Sequence, residues 1–292
     1  MKRRVAAFVV CFACWLLAVL SGCAASRPLW TAGISWRDLS CDSLTELHRA
    51  GFDCIEVALD DLMKLPPIAR PDRCSQILAN ARKAHITIWS VHVPFGKTWD
   101  ISATDPQARA NAMSNVLQAI ELCRLLQPRK AVIHASAEPI RDDERPARLR
   151  AAREALTQLA PEFAAIHVQL AVEDLPRTCL GNTSAEVLWL IRDLDELGVC
   201  FDTNHLLKET HEDFVRNVGS RIVTLHVADY DGKDERHWMP GEGIIRWQAL
   251  AESLMRAGYG GPFLYETGKH KNGRPIQPPE LIRFLGDLRS SG

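Results

Sequence analysis

Short apolar runs recur along the chain, each separated from the next by a longer amphipathic stretch. The runs cover Thr31–Ser35, Asp53–Ala58, Ile86–Val93, Ala131–Ala135, Val168–Glu173, Gly198–Asp202, Ile222–Ala228 and Pro262–Glu266. They are short and rich in Val, Ile and Leu, as expected of strands in a buried parallel sheet. Helical spacing fills the gaps. Ser43–Ala50 stops at Gly51, a natural C-cap residue, and Pro106–Leu126 carries Ala110, Met113, Val116, Leu117, Ile120 and Leu122 at mostly helical intervals. Ala147–Ala165, Ser184–Leu197, Arg246–Ala257 and Pro279–Leu288 are further helix candidates, with Gly198 and Gly258 closing two of them. Strand–helix alternation predicts an α/β fold with a parallel sheet, and eight strands suit a closed (β/α)8 TIM barrel. A doubly wound open sheet is the alternative, but no glycine-rich turn follows the first strand to support a nucleotide fold. No repeat, low-complexity tract or linker divides residues 30–292, which are read as one domain.

Ahead of the first strand the pattern changes. Lys2, Arg3 and Arg4 precede an uncharged apolar run from Val5 to Leu20, the arrangement of a secretory signal and slightly shorter than a spanning helix needs. The run exits through Leu20-Ser21-Gly22-Cys23, which resembles a bacterial lipobox. The resemblance implies a lipoprotein signal peptide over residues 1–22, lipidation of Cys23 and a lipidated tether over 23–29. A plain signal peptide or an uncleaved anchor is the other reading. Ala24 after the cysteine, rather than Asp, implies by analogy the periplasmic side of the outer membrane in a Gram-negative envelope. Acyl chains gain roughly 0.8 kcal/mol per buried CH2, so a multiply acylated cysteine would hold the chain firmly on a bilayer.

Removal of the signal leaves about 270 residues, enough for one barrel. A net charge of −1 argues against broad electrostatic capture of nucleic acid. Cys41, Cys54, Cys74, Cys123, Cys179 and Cys200 follow the tether without CxxC spacing; an oxidising compartment permits disulfides, but Cys54 and Cys200 sit in apolar runs and read as buried free thiols.

The chemistry lies in where the polar residues fall. His92, His134 and His226 stand at or near the C-terminal ends of the third, fourth and seventh strand candidates, and His205 and His237 follow the sixth and seventh. Glu173, Asp202 and Glu266 end the fifth, sixth and eighth. In a barrel these positions converge on the face where active sites are built. Buried carboxylates there must share partners, protons or a metal. Imidazoles with carboxylates suit Mn2+, Co2+, Fe2+ or Zn2+, oxygen-rich sites shade toward Mg2+, and the absence of cysteine argues against a structural zinc site. Taken singly, each residue has a structural explanation: a strand-end histidine as a satisfied core group, Glu173 as an ion-pair partner for Arg177. Trp36, Trp99 and Trp238 are candidate apolar walls for a sugar face, or ordinary packing. Lys97, Arg236 and Lys269 are candidate contacts for an anionic substituent, or solvated loop cations.

With these motifs the chain resembles the xylose isomerase-like TIM-barrel superfamily, whose members include sugar epimerases, hydroxypyruvate isomerases, inosose dehydratases and apurinic endonucleases. The resemblance is carried by Gly51-Phe52-Asp53-Cys54-Ile55-Glu56, Val91-His92-Val93-Pro94, Val132-Ile133-His134 and Val172-Glu173-Asp174. It continues through Phe201-Asp202-Thr203-Asn204-His205, Leu225-His226-Val227-Ala228-Asp229, Pro240-Gly241-Glu242-Gly243 and Tyr265-Glu266. It implies one divalent ion (Mn, Co, Mg or Zn) held by Glu173, Asp202, His226 and Glu266, with Glu173 and Glu266 also serving as acid and base. His92, His134, His205 and His237 would then meet substrate, a sugar or keto-sugar. The expected activity is a metal-dependent sugar isomerase or epimerase, in which a proton beside a carbonyl is abstracted and the enediolate is stabilised by the metal. Three alternatives use the same residues. A keto-sugar lyase or dehydratase would eliminate after the same proton abstraction. A trinuclear zinc phosphodiesterase of the apurinic-endonuclease type would recruit the extra histidines, although Glu235 stands where that branch has Asp. A non-catalytic sugar-binding lipoprotein would be expected to lose one of the two glutamates, and both are present.

Overall fold

The computed structural model describes residues 30–290; the expected signal peptide, the expected lipidation site Cys23 and the expected tether lie outside the described residues. Eight strands appear in the expected order: β1 (Ala32–Ser35), β2 (Cys54–Ala58), β3 (Thr87–His92), β4 (Lys130–Ile133), β5 (Gln169–Glu173), β6 (Gly198–Asp202), β7 (Ile222–His226) and β8 (Phe263–Tyr265). The helices are α1 (Cys41–Ala50), α2 (Asp60–Lys64), α3 (Arg70–Lys83), α4 (Pro106–Leu126), α5 (Arg145–Ala164), α6 (Ser184–Leu190), α7 (His211–Val218), α8 (Trp247–Arg256) and α9 (Pro278–Ser290). All strand pairings in the sheet are parallel, in the order β7-β6-β5-β4-β3-β2-β1-β8. β7 and β8 complete the ring through one parallel bridge, where the Val227 N–H donates to the Leu264 carbonyl at 2.8 Å and the Glu266 N–H to the Val227 carbonyl at 3.1 Å. The architecture is a (β/α)8 TIM barrel, as expected.

Local chemistry sets the element ends. Ser40, Asp105, Thr183 and Thr210 cap α1, α4, α6 and α7 by accepting backbone N–H groups. Gly51 ends α1 in the left-handed region at φ 110°. Two differences from the sequence reading are instructive. α3 and α7 were not expected: α3 buries only Cys74, Ile77 and Ala81, and α7 only a short apolar face around Phe214, Val215 and Val218, so the apolar signal is brief or sparse. Conversely, α6 stops at Leu190 rather than Leu197, because the following residues form turns with Asp193 at φ 59°, a conformation that Asp tolerates better than most residues.

Two interruptions of register aim side chains into the barrel. Between β2 and β3 the pairing shifts after Ile55, so that Glu56 stands opposite Ser90; between β6 and β7 it shifts after Val199, so that Asp202 stands opposite His226. Two residues below the polar strand ends, Val132, Ala171 and Cys200 form a fully buried layer. The period of two thus stacks His134, Glu173 and Asp202 above a dry floor. All six cysteines from Cys41 to Cys200 are free thiols, Cys54 and Cys200 buried as expected. No helix among the described residues is long and apolar enough to cross a membrane.

Candidate metal centre and cavity

His226 is the hub. It is fully buried at the end of β7, and its two ring nitrogens face different surroundings. Nε2 lies 3.0–3.1 Å from the Glu56 carboxylate, which also accepts the Ser90 hydroxyl at 2.7 Å. Glu56 accepts the Nε2 proton, so we assign the lone pair to Nδ1. Nδ1 faces Glu173 Oε1 at 3.0 Å, Glu266 Oε2 at 2.9 Å and Asp202 Oδ2 at 3.9 Å. One ligand atom from each of Glu173, Asp202, His226 and Glu266 lies within 4.8 Å of the other three. A lone pair meeting several carboxylate oxygens is repulsive unless a cation or a second ring proton lies among them, and the carboxylates do raise the His226 pKa well above the ordinary value against the pull of burial. Asp202 Oδ2 is buried without a hydrogen-bond partner, although Oδ1 accepts the Asn204 N–H at 2.6 Å. The donor set and this orphaned oxygen therefore fit a divalent ion.

Electrostatics follow from burial and pairing. Burial acts to raise Glu173, but His226 and His134 overcome it and hold the carboxyl well below its usual range. Asp202 is pushed up to about 6, first by burial, with Glu173 and Glu266 reinforcing against His205. Asp174 underpins it, accepting the Asp202 N–H at 2.7 Å, and burial raises its own pKa well above the ordinary value.

The remaining histidines surround this core. His92 and His134 bring Nε2 to 3.2 and 3.0 Å from Glu173 Oε2. On the other flank, His205 Nε2 lies 3.1 Å and His237 Nε2 3.8 Å from Glu235 Oε2. Both have their Nδ1 against a backbone carbonyl, of Asp174 and Glu266 respectively, which leaves the lone pair on Nε2 whenever the ring is neutral; with no cation beside it, the carboxylates around His205 overcome burial and hold its pKa well above the ordinary value. Asn204 accepts the N–H groups of Arg236 and His237, fixing that loop against the end of β6. His237 and Arg177 are both non-glycine residues at φ 51°, the kind of backbone strain that gathers at functional sites. Asp229 anchors the loop beyond by accepting from Tyr230, Gly241, Ile245 and the Trp247 indole.

All eight polar residues singled out in the sequence thus meet at one end of the barrel. A cavity of about 530 Å3 opens above them, with Glu173 and Glu266 on its lining and Asp202 and His226 sealed beneath. Three pairs of alternatives left open by the sequence can be compared with these positions. Trp36, Trp99 and Trp238 do not line this cavity; its apolar wall is Phe95, Leu175 and Pro176. Arg177 does not pair with Glu173 but reaches Glu138, Asp234 and Glu235 at 2.5–2.6 Å. Of the three loop cations, Lys97 is on the cavity wall, whereas Arg236 pairs with Asp231 and Lys269 is exposed and not on the lining. Glu56, Ser90 and Asp174 were missed as supports. For Glu56 the signal was present, a lone carboxylate inside the apolar run Cys54-Ile55-Glu56-Val57-Ala58.

A closed (β/α)8 barrel carrying a carboxylate–imidazole centre at the C-terminal ends of its strands defines a class of proteins built for chemistry at that face. Comparison with known proteins narrows the class: the xylose isomerase-like TIM barrel family matches residues 44–288, and the chain belongs to it. A ketose 3-epimerase of Arthrobacter globiformis is 22% identical over 256 residues, 85% of this chain and 83% of that protein. The crystal structure of a D-psicose 3-epimerase with D-tagatose, from Clostridium cellulolyticum H10, superposes with a TM-score of 0.72 at 21% identity, covering 90% of this chain and 95% of the other. An uncharacterized protein of Methanocaldococcus jannaschii is 32% identical over 108 residues, 34% of this chain and 37% of its own length. The match therefore spans only about a third of that relative, and the same holds for an uncharacterized Sinorhizobium fredii protein at 34%.

Proposed function

We propose that the protein is a divalent-metal-dependent sugar epimerase or isomerase that moves a proton on carbon beside a carbonyl. The observation that carries this reading is the pairing of Glu173 and Glu266. Both reach the same His226 Nδ1, at 3.0 and 2.9 Å, and both line the cavity, whereas Asp202 and His226 do not. A divalent ion held by Glu173, Asp202, His226 and Glu266 would supply the positive charge that stabilises an enediolate. One glutamate would take the proton; for epimerisation the other returns one to the opposite face of the same carbon, and for isomerisation the proton goes back to the neighbouring carbon. His92 and His134 orient Glu173, and the Nε2 atoms of His205 and His237 face the cavity to meet sugar hydroxyls. The ketose 3-epimerase relatives support this substrate class. Replacing either glutamate, Glu173→Gln or Glu266→Gln, should abolish deuterium wash-in at the substrate α-carbon while the fold persists. Wild-type exchange in both variants would sink the two-base assignment.

A second reading is favoured by the histidine tautomers. His92 Nδ1 is 2.8 Å from the Val93 carbonyl, so its Nε2, like those of His205 and His237, would offer a lone pair to a cation placed between it and the facing carboxylate once the ring gives up its second proton. His92, His134 and Glu173 form one further cation-ready group, and His205, Glu235 and His237 another. Glu235, despite its extra methylene relative to Asp, keeps its carboxylate within reach of both histidines. Three ions would favour hydrolysis of a phosphodiester. Metal analysis of the chain purified without chelator separates the readings: about one ion per chain supports the epimerase, and about three support the hydrolase.

A further inference from the structure

Phe95 is out of keeping with the apolar residues around it. It is 60% exposed and, of the large exposed hydrophobic side chains among the described residues, it alone lines the catalytic cavity. One face of its ring is stacked on His134, with centroids 4.6 Å apart and planes 18° from parallel, and His134 Nε2 is 3.0 Å from Glu173. The phenyl ring therefore sits one imidazole away from Glu173, and most of its surface remains exposed. Lys97, two residues on, lines the same cavity.

The volume of the cavity bears on what fills this space. A hexose has about twelve non-hydrogen atoms; even at the ~30 Å3 that each water occupies in the liquid, it needs no more than roughly 360 Å3. The cavity holds about 530 Å3. A single sugar ring on Glu173 and Glu266 leaves the wall formed by the loop after β3 uncovered. A flat aromatic face in a cavity that Lys97 and Glu138 also line suits the C–H face of a second sugar ring, which is apolar in its centre and polar around its edge.

We propose that the Phe95 wall is a second sugar subsite, and that the preferred ligand is a saccharide of two or more rings, its reacting ring at Glu173 and Glu266 and its second ring on Phe95. This rests on the sugar-epimerase reading for the identity of the first ring. The subsite explains why a large apolar side chain is left in water at the mouth of a polar cavity, and why a histidine that orients Glu173 is sealed by an aromatic ring on one side.

The test is a binding titration of the full-length chain, loaded with Mn2+, using cellobiose, maltose and lactulose against glucose, galactose and fructose. At least one disaccharide should bind roughly three- to tenfold more tightly than either of its component sugars, the gain expected of one added aromatic contact. In Phe95→Ala that ratio should fall to about one. A wild-type protein that binds no disaccharide more tightly than its components, or that binds no saccharide, overturns the subsite. So does a disaccharide preference that survives in Phe95→Ala. Deuterium wash-in on the same sugars separates this from the underlying reading. Exchange on ketoses without disaccharide preference removes the subsite alone; a Phe95-dependent preference without exchange keeps the subsite and removes the epimerase.

Discussion

Replacing Glu56 probes the centre without touching any group that lines the cavity. Its carboxylate is fully buried, accepts the Ser90 hydroxyl at 2.7 Å and lies 3.0–3.1 Å from His226 Nε2. In Glu56→Leu the imidazole N–H is stranded in a sealed interior, at a cost of about 1–3 kcal/mol. The ring can escape that cost only by moving its proton to Nδ1, which removes the lone pair facing Glu173, Asp202 and Glu266. Outer partners of a ligating histidine are typically worth about 10–100-fold in metal affinity, or roughly 1.4–2.8 kcal/mol, so the two routes agree in size. Glu56→Gln keeps an acceptor oxygen for Nε2, and the Ser90 hydroxyl can turn to accept from the new amide, so its loss should be clearly smaller. The assay is competition for Mn2+ or Zn2+ between the metal-stripped chain and a chromophoric chelator, with thermal melts of the stripped variants to confirm folding. Wild-type affinity in Glu56→Leu would refute the assignment of Nδ1 as the outward atom. Equal losses in the two variants would refute the tautomer argument and leave only the lost charge.

His211 offers a pH test away from the metal centre. It is buried, donates from Nε2 to the Thr203 carbonyl at 2.7 Å, and burial lowers its pKa below the ordinary 6.5. The unfolded chain therefore takes up the proton first. The stability that neutral His211 contributes is complete above pH 6.5 and is lost as pH falls below it. His211→Gln, which retains a donor, should flatten that fall in urea midpoints, and an unchanged slope would count against the reading. The lipobox reading of Cys23 predicts a fatty-acylated N-terminus at that residue and a membrane-pelleting chain. Cys23→Ser should lose both, and a wild-type chain that keeps its own Met1 and stays in the supernatant would end the idea.

The barrel and its polar face were legible because both are written in local pattern. Apolar runs ending in His134, Glu173, Asp202, His226 and Glu266 place those groups at strand ends whatever the exact register. What surrounds them was not legible, for a physical reason. Glu56 supports His226 across 170 positions of chain, and it reaches Ser90 only because the ladder shifts after Ile55, an irregularity with no compositional mark. The tryptophans misled for a related reason. An aromatic residue near a strand end announces apolar area but not direction: Trp36 turns its indole N–H to Ser43, and Trp238 pairs its backbone with Asp229, leaving Phe95 to face the cavity.

The choice between one cation and several turns on Glu235 and Arg177. The guanidinium holds Glu235 Oε1 at 2.6 Å while also engaging Glu138 and Asp234, and the bond from His205 to Oε2, opposed by burial and aided by Arg177, brings the Glu235 carboxyl down to about 2. Its charge is thus already partly offset by a permanent cation of the protein, one that it shares with Glu138 and Asp234. An ion at His205 and His237 would share that carboxylate with Arg177, whereas one at Glu173, Asp202, His226 and Glu266 would meet no competing guanidinium among the described residues. The central position should therefore fill first and hold its metal most tightly, and Arg177 weakens the case for the outer flank without touching the chemistry assigned to Glu173 and Glu266.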